Sequence, residues 1–191
     1  VALTLTSHEP YEFPDEYKFG KDSEENLYRS AQAYTDKAIG KFIEGAKKQP
    51  WWDNTLVVIM SDHGHPLPVH EGYFNAPIRF KIPMVWMGGA LAKTGITIDT
   101  FSGQSDFAYT LTDLLGGNAQ QFKFGKHNFN NSDQQYVHYV FNKGFGTISK
   151  DGEFVYDYVS NKPVIQNGNY QALDSLGRAI SQEAYPDFLD R

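Results

Sequence analysis

Apolar positions recur along the chain in two rhythms, and each predicts a different kind of element. Over residues 23–48, Leu27, Ala31, Tyr34, Ala38, Phe42 and Ala46 fall three or four apart, the spacing of one helix face. Ser23 stands where an N-cap belongs, Glu24 and Glu25 follow in the first turn, and Pro50 stops the helix. Residues 106–115 predict a second helix, capped by Ser105 or Asp106 and ended by Gly116-Gly117. Residues 170–184 predict a third, with Leu173, Leu176, Ile180 and Ala184 on one side.

The other rhythm is that of strands. Residues 1–6, 55–60 and 82–87 are short β-branched or apolar runs, and 55–60 is apolar on both faces, as in the centre of a parallel sheet. Residues 136–141, 145–149 and 153–158 predict a small antiparallel meander, with Asp151-Gly152 as a hairpin signal. The order strand, helix, strand, strand, helix, meander, helix predicts an α/β fold with helices on the faces of a parallel sheet. Ligands of such sheets sit beyond the carboxyl ends of the strands. Two polar loops leave such ends, after Thr6 and after Met60, and they hold four of the six histidines.

Composition narrows the chemistry. With 40% hydrophobic residues in 191, the chain can bury a core. The 15% of aromatic residues suits core filling, and also stacking against sugars. Seventeen basic against 23 acidic residues give a net charge of -6 without a basic cluster, which argues against nucleic acid and against an electrostatic hold on anionic lipid. There is no cysteine, which excludes disulfides, thiol catalysis and thiolate-bound zinc within the chain. The longest uncharged apolar stretch, 82–92, is too short to span a bilayer and is broken by Pro83, Gly88 and Gly89. A chain that opens on Val1 within a strand-like run reads as part of something longer.

The sharpest cluster is Ser61-Asp62-His63-Gly64-His65. A carboxylate oxygen and an imidazole nitrogen arrive together where a strand ends, and such a pair suits Zn²⁺ or Mn²⁺. A loop aspartate capping local backbone beside a solvated histidine fits the same residues. In the other loop, His8 stands before Glu9-Pro10, placed for an anionic group or a proton transfer, or as an ordinary surface histidine. Arg79 and Lys81 read as solvated surface charge, Trp51 and Trp52 as a seal on the core edge, His127 and His138 as structural, and Asp106 as a helix cap.

Three stretches in order resemble the lipoteichoic-acid-synthase-like branch of the sulfatase and alkaline phosphatase superfamily. They are Thr4-Leu5-Thr6-Ser7-His8-Glu9-Pro10-Tyr11; Ala38 to Ile43, then Trp52 to Ile59, leading into Ser61-Asp62-His63-Gly64; and Ile82-Pro83-Met84-Val85-Trp86, followed by Ser105 to Leu111 and Leu114-Leu115-Gly116. Residues 139–146 resemble a tail of some branch members.

The resemblance implies a partial alkaline-phosphatase-like α/β/α sandwich with an antiparallel meander and a C-terminal helix. Residues 1–191 would form the C-terminal portion of one catalytic domain, with about 1–117 as its α/β part and about 118–191 as the meander and last helix. It implies a metal-dependent phosphoglycerol transferase, or else a sulfatase or phosphoethanolamine transferase; a non-catalytic glycan-binding module is the reading from another class. Asp62 and His63 inherit ligation of one or two divalent ions (Mn, Zn or Mg). His8 inherits contact with the transferred group, and His70, or less readily His65, a further substrate-side histidine. The threonine nucleophile and an acidic ligand would come from a preceding part of the same protein, leaving this chain without catalytic residues and inactive alone. Implied partners are a phosphate- or sulfate-ester substrate, such as a lipid head group or glycan, and that preceding part. The parent would be membrane-anchored and the domain extracytoplasmic.

Overall fold

The computed structural model describes residues 1–69, 72–129 and 135–190, in two compact units. One unit comprises residues 1–72 and 78–95; the other comprises 73–77 and 96–191.

The first unit is built on helix α1 (Glu24–Ala46). Ser23 caps it with Oγ accepting from the Asn26 N–H at 3.1 Å, and Asn26 Nδ2 donates to Asp22 Oδ1 at 2.8 Å. Replacing Ser23 by alanine should cost about 1 kcal/mol, read as a lower urea midpoint. The apolar stripe of α1 is only partly covered. Ala31 and Ala46 are buried, with Ala31 packed against Tyr11 and Leu67, whereas Ala38 and Phe42 face solvent.

Strands β1 (Val57–Met60) and β2 (Met84–Met87) pair antiparallel, Val57 with Met87 and Met60 with Met84. The parallel arrangement expected around 55–60 is therefore corrected. An unbroken apolar run reports cover on both faces, not the direction of the neighbour, and all four β1 positions are half-buried. The strand expected over 1–6 is also absent. Val1, Leu3 and Leu5 are exposed, no strand pairs with them among the described residues, and the Leu5 carbonyl instead accepts the His8 N–H at 3.0 Å in a turn. Strand propensity without a ladder partner does not make a strand. Trp51 is exposed and so does not seal a core edge; Trp52 opens a short 3-10 turn, Trp52–Asn54.

In the second unit, α2 (Gln104–Leu114) starts two residues before the expected position, with Gly103 as N-cap. Asp106 caps from inside the first turn. Its Oδ2 accepts from Gly103 N at 2.8 Å, while Oδ1 accepts from Lys126 N at 3.0 Å and the Lys126 ammonium stands 2.5 Å from Oδ2.

Strands β3 (Tyr136–Phe141), β4 (Gly144–Ser149), β5 (Gly152–Asp157) and β6 (Lys162–Gly168) form an antiparallel sheet in that order. The Ser149–Gly152 pairing puts Lys150-Asp151 at the tip, one residue before the expected Asp151-Gly152. Helix α3 (Tyr170–Leu189) runs past the predicted end and carries Pro186 inside it. Phe145, Phe154, Tyr156 and Leu173 make the core of this unit. Gly177 lies against it, where a Cβ would stand 2.3 Å from Thr147 Oγ1 and 2.4 Å from the Phe145 ring.

His138 sits on β3 with Nδ1 3.2 Å from Thr147 Oγ1, its ring against Phe145. Desolvation by burial pulls its pKa down from 6.5 to about 4. The unfolded chain then takes up a proton as pH falls through 6.5, while the folded chain takes it up only near 4. This share of stability is intact above the upper value and is lost between the two. The variant H138F should lose less stability than the parent between pH 7.5 and 4.5, measured by urea denaturation.

Candidate functional site

The turn after β1 orients two donors. Ser61 N donates to Pro83 O at 3.4 Å, continuing the β1–β2 ladder by one step, and Ser61 Oγ donates to His63 O at 2.7 Å. The His63 N–H donates to Asp62 Oδ1 at 3.0 Å. Gly64 is required by close approach, because a Cβ there would stand 1.9 Å from the Arg79 carbonyl oxygen. His63 Nε2 lies 3.8 Å from Asp62 Oδ2, and both side chains are well exposed. Arg79 is not the solvated charge expected: it is half-buried, and its Nη1 is buried without a hydrogen-bond partner among the described residues.

The histidines divide by which ring nitrogen faces a carbonyl and which an N–H. His63 Nδ1 is 2.8 Å from Gly64 O, and a carbonyl can only accept, so Nδ1 carries the proton and Nε2 holds the lone pair of the neutral ring. His8 Nδ1 likewise faces two acceptors, Glu9 O at 3.0 Å and Glu9 Oε2 at 3.2 Å. His65 and His127 are the reverse: their Nδ1 atoms accept from Leu67 N at 3.1 Å and Phe129 N at 3.2 Å. His127 Nε2 then points its hydrogen at Asp113, 3.5 Å away. Metal-ligating histidines typically donate the other ring N–H to a carbonyl or carboxylate. By that criterion Asp62 and His63 fit a divalent ion, whereas the Asp113–His127 pair does not.

His8 lies in a double turn, with His8 N donating to Leu5 O and Tyr11 N to His8 O at 2.9 Å. Beside it is a network that sequence reasoning missed. Tyr11 is buried yet has φ 58, a conformation that costs a non-glycine residue about 1–3 kcal/mol. Its hydroxyl donates to Glu9 Oε1 at 2.9 Å and lies 3.4 Å from His65 Nε2, and its carbonyl accepts from Tyr17 OH at 3.2 Å. His65 Nε2 is also 3.6 Å from Glu9 Oε1, and its ring stacks on Tyr28 at 4.6 Å.

The two loops that carry His8 and Asp62–His63 are thus joined through Glu9, Tyr11 and His65. Hydrogen bonds from its own backbone N–H and from Tyr11 hold the Glu9 carboxyl below its ordinary range, while burial, and then Glu9, push the Tyr11 hydroxyl up. His65 spends one ring nitrogen on the Leu67 N–H and the other on this contact. His70 lies outside the described residues. Among the described residues no three or more His, Asp and Glu side chains converge as a metal cluster.

A sequence profile of the sulfatase family matches residues 1–117, a stretch that holds both loops. The chain belongs to the sulfatase family. Relatives of this sulfatase-family chain are of the kind that its motifs resemble. Phosphoglycerol transferase I of Escherichia fergusonii is 27% identical over 120 residues, covering 61% of the chain and 16% of that protein. The lipoteichoic acid synthase of Staphylococcus aureus strain USA300 is 24% identical over 200 residues, covering 90% and 28%. A solved protein of the alkaline phosphatase superfamily from Vibrio parahaemolyticus superposes with a TM-score of 0.70 at 23% identity, over 94% of the chain and 48% of its own. The fold is that of the alkaline phosphatase superfamily, and the chain spans less than a third of the length of those two relatives.

Proposed function

We propose that this sulfatase-family chain supplies metal- and substrate-binding loops to a divalent-metal-dependent enzyme acting on phosphate esters, of the phosphoglycerol transferase type. The observation that carries the reading is the Asp62–His63 turn, where a carboxylate oxygen and an imidazole Nε2 of the ligating tautomer stand 3.8 Å apart. Asp62 and His63 hold the ion, which when bound neutralises ester oxygens and lowers the pKa of an attacking hydroxyl. His8 presents Nε2 to an oxygen of the transferred group. A proton on that nitrogen donates a hydrogen bond as charge builds on that oxygen. His70 is a further substrate contact.

No residue of this chain takes the nucleophile's part, so the 191-residue chain alone turns over no ester. Its setting is extracytoplasmic, on a membrane-anchored parent; among the described residues no helix is long and apolar enough to cross a membrane.

Glycerol phosphate titrated into the chain with Zn²⁺ present tests this. Amide shifts of residues 7–9 and 11 should move, the movement should disappear with EDTA, and His8→Ala should weaken binding about tenfold, as expected when a charge-assisted contact is lost. Metal-independent binding of an oligosaccharide, without affinity for the phosphate ester, would overturn the proposal in favour of a glycan-binding module. A preference for sulfate over phosphate esters would move the chemistry to sulfatases.

A further inference from the structure

The Glu9 carboxylate uses its two oxygens on different partners. Oε2 faces His8 Nδ1 at 3.2 Å; Oε1 accepts from the Tyr11 hydroxyl at 2.9 Å and lies 3.6 Å from His65 Nε2. We propose that Glu9, clamped by Tyr11 and His65, is a positioning residue for His8, holding the imidazole with Nδ1 toward the protein and Nε2 presented to a phosphate-ester oxygen. The inference rests on the proposed function above and deepens it.

An exposed carboxylate–imidazole pair by itself fixes little, because two mobile side chains must be held together in water. Here the Glu9 side of the pair is anchored. Tyr11 is buried, its backbone is held at φ 58, and its carbonyl and hydroxyl are both hydrogen-bonded. His65 is anchored in turn, with Nδ1 on the Leu67 N–H and its ring flat on Tyr28 of α1. The path from α1 to His8 thus runs through aromatic stacking, a ring nitrogen, a carboxylate and a second ring nitrogen. It is the arrangement by which a carboxylate behind a histidine sets its tautomer and direction. It also explains why a strained tyrosine is kept in a loop.

The test exploits a sign. If Glu9 acted only through its charge, removing a carboxylate from beside an anion site would strengthen binding of an anion. Positioning requires that binding weaken.

The probe is glycerol phosphate with Zn²⁺, followed by the amide shifts of residues 7–9 and 11 in the full 191-residue chain. Glu9→Gln should weaken binding about tenfold, the typical effect of losing a carboxylate that orients a histidine. Tyr11→Phe, which alters no charge and keeps the ring, should weaken it in the same direction. In the His8→Ala background, Glu9→Gln should have no further effect, since the residue it orients is gone.

Unchanged or tighter binding by Glu9→Gln, with His8→Ala still weak, would overturn the positioning role and leave the proposed function standing. Full binding by His8→Ala would overturn both. Nitrogen-15 shifts of the His8 ring give a readout that overall folding does not move: the neutral ring should carry its proton on Nδ1 in the parent chain and, since the Glu9 carbonyl at 3.0 Å remains an acceptor, the Nε2–H form should gain in part in Glu9→Gln.

Discussion

Replacing His63 by alanine should weaken Mn²⁺ or Zn²⁺ binding at least about tenfold, or about 1.4 kcal/mol. The reason is local. Asp62 and His63 are adjacent donors, so an ion held by one meets the other without a further loss of freedom, and either alone is an ordinary surface group. His63→Ala and Asp62→Ala should therefore have similar effects, while His127→Ala should have none. His127 is the informative control, since it too pairs with an aspartate, at 3.5 Å, but its Nδ1 accepts a backbone N–H and its Nε2 carries the hydrogen. Paramagnetic broadening of ring signals by Mn²⁺ reads even weak binding, and it should single out His63. Equal broadening at His127 would mean that the ion follows local negative charge, not tautomer.

Gly177→Ala should destabilise the second unit by about 1–3 kcal/mol, the usual range for overpacking, although the same change in an exposed helix would stabilise it by about 1 kcal/mol. The added methyl would sit 2.3 Å from Thr147 Oγ1 and 2.4 Å from the Phe145 ring. Both neighbours are buried, so neither can swing into solvent, and α3 must lift from the sheet or the ring must leave its rotamer. Phe145→Ala should cost about 3–5 kcal/mol, since it empties the centre of the core. The double variant should lose less than the sum of the single losses, because the cavity left by the ring accepts the methyl. Urea denaturation of the four proteins measures the coupling. Strict additivity would mean that α3 does not rest on Phe145 through Gly177.

Features that depend on near neighbours in the chain were legible in advance. The start of α1 needs only Ser23 and two glutamates, and its end only Pro50, all local signals. Three strands of the meander follow from alternation. Features set by distant partners were not. Nothing in residues 1–6 says whether a ladder partner adjoins them, and nothing in 55–60 gives the direction of β2. Strand β6 has no counterpart in the predicted elements; it holds Pro163 and Asn167-Gly168, residue types that disfavour strands, yet a proline is tolerated in an edge strand, which β6 is.

At the site, adjacency brought Asp62 and His63 to notice. Tyr11 and His65 are 54 positions apart, so their contact leaves no periodic trace. Glu9, between His8 and Pro10, carries no signal of its own in the sequence. Its part depends on the αL backbone at Tyr11, which sequence does not advertise in a bulky aromatic residue.

The β6 margin has a further consequence. Pro163 offers no N–H to an incoming chain, Lys162 adds a charge, and the pairing slips between Val155 and Tyr156 just behind it. Such irregularities blunt a sheet as a template for intermolecular stacking. Self-association through this sheet is thereby discouraged on its β6 flank, which leaves β3 as the border where fibril growth would have to begin.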